Sequence, residues 1–237
     1  MDATAQQQPS VAEQFQQMGE WITRFPIGGE WHGGSYVAQG DDRLRKFVTR
    51  MDQLPAPPRS ILECGCLEGG HTIQLAAAFP AATIYAVDIR DDSLAKAKLV
   101  CGLTGCTNVH FARDDFDAPA EIFNRGYDAI FCVGLLYHLR WPDKFLQSAC
   151  AAAPVLWLWT VYCDERDVSI REGQFRGRMY EEPTAHPLSA VRDQSFFPAL
   201  GSLNAMLWDA GYTSIELVRR EMTANGSGPA VLLCATR

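Results

Sequence analysis

The twelve residues ILECGCLEGGHT, Ile61 to Thr72, crowd two cysteines, two glutamates, three glycines and a histidine into one stretch. Two chemistries suit that set. Cys64 and Cys66 offer thiolates to a metal, whereas Gly65, Gly69 and Gly70 offer a tight turn that lets a nucleotide approach the backbone. A structural zinc needs a second ligand pair, and Cys101 and Cys106 fall inside and after a helical pattern, so no metal is expected. The glycine turn is better supported: a strand ending at Glu63 that turns into a helix presents backbone N–H groups and a helix N-terminus to a ligand. Counted from Gly65, the dinucleotide spacing G-x-G-x-x-G puts Leu67 where its second glycine belongs, which makes a dehydrogenase the weakest enzymatic reading.

Acid–base groups lie elsewhere. His138 follows Tyr137 at the end of YDAIFCVGLLYHL, and an imidazole exchanges protons near neutral pH, so His138 is the first candidate for a general base. Packing under the turn, or contact with a cofactor alone, are the alternatives for both residues. His32, in the aromatic and glycine-rich segment FPIGGEWHGGSYVAQG, and His186 compete for the role, while His71 and His110 read as structural. Trp31, Tyr36, Trp141 and Tyr180 are the aromatic candidates for an acceptor pocket. Arg166, Arg171, Arg176 and Arg178 alternate with Asp164, Glu165, Asp167 and Glu172, the pattern of a solvated mixed-charge surface.

The elements that must position these groups are legible from about residue 60 onward, where apolar runs alternate with helical patterns as in a parallel sheet covered by helices. Strands are expected at Ser60–Cys64, Thr83–Asp88, Val109–Ala112, Asp128–Val133 and Val155–Tyr162. Helices are expected behind the N-cap types Asp91, Asp92 and Ser93, and at Lys144–Ala152 behind Trp141, Pro142 and Asp143. Trp157 and Trp159 alternate with Leu156 and Leu158 and are expected in the core. A polar stretch from Asp164 to Phe196 reads as an inserted loop or lid. A helix through Leu200, Leu203, Leu207 and Ala210 with Gly211 as C-cap follows, then strands Ile215–Arg220 and Ala230–Ala235 split by Asn225, Gly226, Ser227 and Gly228. Before residue 58, helices are expected at Val11–Thr23 and Asp41–Leu54 with a loop over Phe25–Gly40, and PAPPRS as a stiff connector. The only biased tract is Gln6–Gln8.

Composition bounds the partners. The chain has 237 residues, 47% of them hydrophobic and 21% charged, which is ordinary for a globular protein. A formal charge of -7 argues against nucleic acid, whose phosphates demand clustered Lys and Arg. No apolar run is long enough to span a bilayer, and MDATAQQQPSVAEQFQQM lacks a basic start followed by an apolar stretch, so a cytoplasmic location is expected. The eight cysteines lie mostly in apolar segments and are expected reduced.

Four elements in order carry a family resemblance: Glu63-x-Gly65-x-x-x-Gly69, Asp88 ending IYAVD 23 residues after Gly65, Asp114–Asp115 in NVHFARDDFD, and GLLYHL after the fourth strand. Together they resemble class I S-adenosylmethionine-dependent methyltransferases over about residues 60–139, and FFPALGSLNAMLWDAGY with two closing strands extends the likeness. Leu67 departs from the family's middle glycine and Arg113 from another common glycine. The resemblance implies an α/β fold with a seven-stranded, mostly parallel sheet of order 3-2-1-4-5-7-6, strand 7 antiparallel, and helices on both faces. Residues 1–58 would form a helical cap with an aromatic loop, and 59–237 a Rossmann-like domain with a lid at about 164–196.

The implied cofactor is S-adenosyl-L-methionine, with S-adenosyl-L-homocysteine as product. Glu63 would face its ammonium group; Gly65, Cys66, Leu67 and Gly69 would form the turn; Asp88 would hold the ribose with Ile89 beside the adenine. Asp114 or Asp115 would hold the adenine amino group, and the carbonyls of Cys132 and Val133 would face the methionine end. Methyl transfer to a small-molecule acceptor, oxygen favoured, is the leading function, with cap and lid enclosing the site. The YHL ending is similar to that of bacterial tRNA wobble-uridine carboxymethyl-transferring enzymes, so a tRNA methyl- or carboxymethyltransferase is second and a non-catalytic S-adenosyl-ligand binder third. The acceptor and the oligomeric state, including a homo-oligomer, stay open.

Overall fold

A computed structural model describes residues 9–118, 120–223 and 226–237. The expectations at Gln6–Gln8 and Asn225 lie outside them. The chain opens with α1 (Val11–Gln17), capped by Ser10 and Glu13 in a reciprocal capping box. This helix is shorter than expected because Gly19 takes a left-handed conformation, φ 77°, just beyond it. The stretch expected as a loop instead holds a hairpin, β1 (Arg24–Ile27) and β2 (Glu30–Gly33). Its turn residues Gly28 and Gly29 both have positive φ, the geometry of a two-residue type I′ connection. Helix α2 (Asp42–Met51) follows, with Asp41 accepting from the Arg43 N–H as N-cap.

The main sheet is built from β3 (Ser60–Cys64), β4 (Thr83–Asp88), β5 (Val109–Arg113), β6 (Ala129–Val133) and β7 (Val155–Val161). Helices α3 (Thr72–Ala78), α4 (Asp91–Thr104) and α5 (Pro142–Ala152) connect them. Helix α4 starts one residue after Arg90, with Asp91 and Asp92 in its first turn where carboxylates suit the helix dipole, rather than behind an Asp cap. After a lid, α6 (Leu200–Ala210) ends at the left-handed Gly211, and β11 (Ser214–Met222) and β12 (Pro229–Thr236) close the sheet. The spatial order is β11-β12-β7-β6-β3-β4-β5, with β12 antiparallel to both neighbours. This is the expected 3-2-1-4-5-7-6 arrangement with its seventh strand reversed.

Strand alternation divides the core in two. Leu62, Cys64, Cys132, Leu156 and Leu158 pack with Phe145, Leu203 and Leu207 of α5 and α6. Ile61, Ile84, Phe131 and Trp157 pack on the other face with Leu75 of α3 and Phe47 of α2. Every residue of β7 is buried, as a strand covered on both faces requires.

The segment expected as an irregular lid is a three-stranded antiparallel sheet: β8 (Ile170–Glu172), β9 (Phe175–Glu181) and β10 (Gln194–Pro198), in the order β10-β9-β8. It is rooted in the core. Phe196 joins the α5–α6 cluster and Phe197 the opposite one. Among the described residues no helix is long and apolar enough to cross a membrane.

Candidate active site

The chain runs from β3 outward through β4 and β5, then returns past β3 to β6, so a crevice opens at the carboxyl ends of β3 and β6 where the strand order reverses. A cavity of about 660 Å³ occupies this place. Its floor is the turn after β3. Gly65 leaves the strand at φ 75°, a left-handed value that glycine adopts without penalty, and its N–H donates to the Val87 carbonyl. Leu67 is also left-handed, φ 49°, and is the only non-glycine residue with positive φ among those described. The backbone thus keeps the family's turn while a leucine stands where glycine is usual. Gly70 is required for a different reason: a Cβ there would lie 2.7 Å from Ala38 Cβ, so it is the point where the N-terminal segment presses on the turn.

Asp88 stands at the end of β4. Its Oδ2 accepts from the Leu67 N–H at 2.8 Å and its Oδ1 from the Arg90 N–H at 2.9 Å. Burial pushes this carboxyl up, against the lowering effect of those amide bonds. Each oxygen keeps a lone pair for a ligand hydroxyl. Gly65, Cys66, Leu67, Asp88, Ile89, Asp115 and Val133 line the cavity.

Four residues expected there do not line it. Glu63 is buried, accepts from the Thr72 hydroxyl at 2.6 Å, and has its pKa pushed up to about 8, chiefly by burial. Gly69 packs against Ala97 of α4. Asp114 turns aside to accept from the Ile122 N–H at 2.8 Å, which leaves Asp115 at the cavity. The Cys132 side chain lies in the α5–α6 core. Cys64 and Cys66 belong to separate core clusters, Cys66 packing with Ala86 and Leu94, because the chain turns at the left-handed Gly65 between them.

The wall above the turn carries the proton-transfer candidates. Tyr137 and His138 occupy a short 3-10 turn after β6, and both line the cavity. His138 Nδ1 lies 3.0 Å from Glu182 Oε1, whose side chain is 1% exposed. Burial pushes the Tyr137 hydroxyl up to about 12, with Arg43 opposing the shift, so it stays protonated at neutral pH. Facing them is a second imidazole–carboxylate pair. His71 Nε2 lies 2.9 Å from Asp41 Oδ2, and Arg43 binds both oxygens of Asp41 and donates to the Tyr36 hydroxyl at 3.0 Å. Burial alone would raise the Asp41 carboxyl, but the His71 and Arg43 bonds hold it well below the usual range. The Arg43 guanidinium also lies over the Trp159 ring, 4.6 Å from its centroid.

Among the acceptor candidates, Tyr36 and Tyr180 line the cavity; Trp31, Trp141 and His32 do not. The pleat of the β1–β2 hairpin explains two of these. His32 turns inward onto Phe15, 5.3 Å between ring centroids, and Trp31 outward under Arg24. Trp141 is held between Arg140 and Lys144.

Comparison with known proteins fits this geometry. Residues 61–153 match the family model described as a methyltransferase domain. The N-terminal domain of EvdMO1, solved in the presence of SAH and D-fucose, is 26% identical, with a TM-score of 0.83 covering 96% of this chain and 95% of that one. The chain carries a class I S-adenosylmethionine-dependent methyltransferase domain. An uncharacterized Synechococcus protein is 35% identical over 149 residues, 61% of this chain and 33% of its own length. A ubiquinone biosynthesis O-methyltransferase of Paracidovorax citrulli is 30% identical over 97 residues, 41% of this chain and 40% of its own. The chain thus spans about a third of the length of the first curated relatives it matches.

S-adenosylmethionine is the cofactor of this family, and the cavity fits it. Asp88 and Asp115 provide acceptors at the ends of neighbouring strands, and a Cβ at Gly65 would lie 3.4 Å from the Leu135 side chain on the cavity floor. Sequence reasoning missed three residues of the cavity, Arg43, His71 and Glu182, and Asp41, which holds the first two. Asp41 and His71 are 30 positions apart, and Glu182 lies 44 positions beyond His138, so no local spacing marks either pair. Trp159, expected in the core, is buried yet also lines the cavity.

Proposed function

We propose that this enzyme methylates a hydroxyl group of a neutral small molecule, with His138 as the general base. The observation that carries the reading is the His138–Glu182 pair on the cavity wall. With Nδ1 held by the carboxylate, Nε2 is the nitrogen left to take a proton from an acceptor hydroxyl. Bound S-adenosylmethionine supplies an electrophilic methyl group on a sulfonium. Asp88 would hold its ribose and Asp115 its adenine edge. Tyr36, Trp159, Tyr180 and Phe197 provide aromatic surface for the acceptor and keep water out.

Charge bookkeeping favours a neutral acceptor. Arg43 is bound to Asp41, Arg192 lies 2.7 Å from Asp115, and Arg90 is engaged by lid carbonyls. An acceptor carboxylate would have to break one of these engagements. That EvdMO1 was solved with D-fucose, a neutral polyhydroxylated sugar, supports the same class, and the ubiquinone relative's name supports oxygen as the acceptor atom. A tRNA acceptor is disfavoured by the formal charge of -7.

Release of S-adenosylhomocysteine measured against a panel of neutral sugars, carboxylic acids and bulk tRNA tests the reading. Turnover with a hydroxylated neutral compound is expected. Turnover with tRNA alone would replace the reading, and binding of S-adenosylhomocysteine without any turnover would make the protein a non-catalytic binder.

A further inference from the structure

Glu182 belongs to the lid, not to the domain that carries His138. It follows β9 directly, and its N–H donates to the Asp193 carbonyl at 2.8 Å, closing the strand pair from which the 183–192 loop projects. Its carboxylate gathers three donors from three places. Oε1 faces His138 Nδ1 at 3.0 Å and accepts from the Ser195 hydroxyl at 2.7 Å, while Oε2 accepts from the Ala190 N–H at 3.2 Å. The loop is fastened on the cofactor side. Arg90 Nη2, two residues beyond Asp88, lies 3.0 Å from the Ser189 carbonyl and 3.3 to 3.5 Å from those of Thr184, His186 and Ala190. Arg192 reaches Asp115 at 2.7 Å and Asp117 at 3.3 Å.

We propose that Glu182 is a positioning residue that the lid delivers to His138, so that the base is aligned only while the lid is seated on the cofactor-binding loops. The inference rests on the reading of His138 as the base. A carboxylate on Nδ1 fixes the ring orientation, keeps the lone pair on Nε2, and stabilises the imidazolium formed when Nε2 takes a proton. Lifting the 183–192 loop would remove Ala190 from Oε2 and loosen the same carboxylate. Lid seating over the ribose and adenine carboxylates is thereby linked to base competence through one side chain. The ionisable groups around the His138 turn are Glu182, Tyr137 with its ring tilted 44° and its centroid 4.2 Å away, Arg43, which faces Tyr137 from the cap, and Arg140 just beyond the turn. Of these, only Glu182 bonds to the imidazole.

The test is long-range ¹H–¹⁵N spectroscopy of the full chain labelled at its five histidines, with His138 assigned by its loss in His138→Gln. The wild type is expected to show His138 protonated on Nδ1 in its neutral form. In Glu182→Gln the His138 ring resonances should move away from the pure Nδ1-protonated pattern toward a mixture of tautomers, as loss of the carboxylate on Nδ1 requires, and those of His71, bonded to Asp41, should not move. Arg90→Gln, which leaves the buried carboxylate in place, should shift His138 in the same direction and keeps the test decisive if Glu182→Gln folds poorly. A His138 resonance unmoved in Glu182→Gln overturns the pairing, and one moved there but unmoved in Arg90→Gln overturns delivery by the lid. No acceptor is needed, so a His138→Gln enzyme that still turned over would sink the base assignment while leaving this measurement intact.

Discussion

The N–H of Leu67 donates to Oδ2 of Asp88 over 2.8 Å, joining the turn after the first strand of the main sheet to the carboxylate that ends the second. The bond holds Leu67 in a left-handed conformation, φ 49°, that costs a branched residue about 1–2 kcal/mol. Leu67→Gly is therefore expected to be more stable than Leu67→Ala by about 1 kcal/mol, the reverse of the order in regular structure. Urea denaturation of the two variants decides it: an alanine variant as stable as the glycine one would mean the turn is not strained.

Asp88 already satisfies two backbone amides and has lone pairs left for a ribose. Asp88→Ala should weaken binding of S-adenosylhomocysteine by about 30-fold or more, in line with the roughly 1.5–3 kcal/mol of a hydrogen bond to a charged group. Titration calorimetry reads it directly. Unchanged affinity would remove Asp88 from the cofactor site.

Glu63 gives the fold a pH dependence of its own. Its carboxyl is pushed from the ordinary value of 4.5 to about 8 by burial, so it stays protonated in the folded protein while the unfolded chain ionises. Its contribution is full below about 4.5 and is lost as the pH rises to about 8. Wild type should therefore lose on the order of 2 kcal/mol or more of stability relative to Glu63→Gln across that interval. Parallel stability–pH curves for the two proteins would contradict the assignment.

His138→Gln should lower kcat by roughly 10²- to 10⁴-fold, the usual range for removing a general base, with affinity for S-adenosylhomocysteine within about twofold. Equal losses in turnover and cofactor binding would instead place His138 in the cofactor site.

Glu68 is buried and accepts from the N–H groups of Ile22 and Thr23, at 3.0 and 2.6 Å, while its carboxylate lies 3.4 Å from Lys96 Nζ. Glu68→Ala leaves two amides without their acceptor and takes from Lys96 one of its two carboxylates, Asp92 being the other, so a loss of about 2 kcal/mol or more is expected in thermal or chemical unfolding. A loss under about 1 kcal/mol would show that other contacts hold the N-terminal segment.

What the sequence made legible was decided by how local each signal is. The five parallel strands stood out because runs such as AIFCV and VLWLWTV are buried on both faces and so uniformly apolar. The lid strands were not readable, because FRGRMYE alternates charged and apolar residues over a half-exposed sheet that resembles a polar loop. The β1–β2 hairpin did carry a signal, Gly28-Gly29 between two short runs, which the aromatic and glycine content of the segment obscured. Ile61–Thr72 gave the turn, while the hydrogen bond between Glu63 and Thr72 within it was not read. The strand pleat that sends Leu62 and Cys64 to the α5–α6 face directs residue 63 the other way, onto Thr72. The imidazole–carboxylate pairs were invisible because each joins elements that meet only in three dimensions.

The lid departs from the sheet after Cys163 and returns at Ala199, and these two residues are bridged to each other, with the Cys163 N–H on the Pro198 carbonyl at 2.9 Å. The excursion is stitched at its root. Chain between those points, apart from the core-seated Phe196 and Phe197, can be lengthened, shortened or traded for another on the same hinge, while Gly65 and Asp88 lie well outside it in the sequence. New acceptor ranges are therefore open to this scaffold by cassette exchange, provided that the incoming piece brings its own equivalent of Glu182.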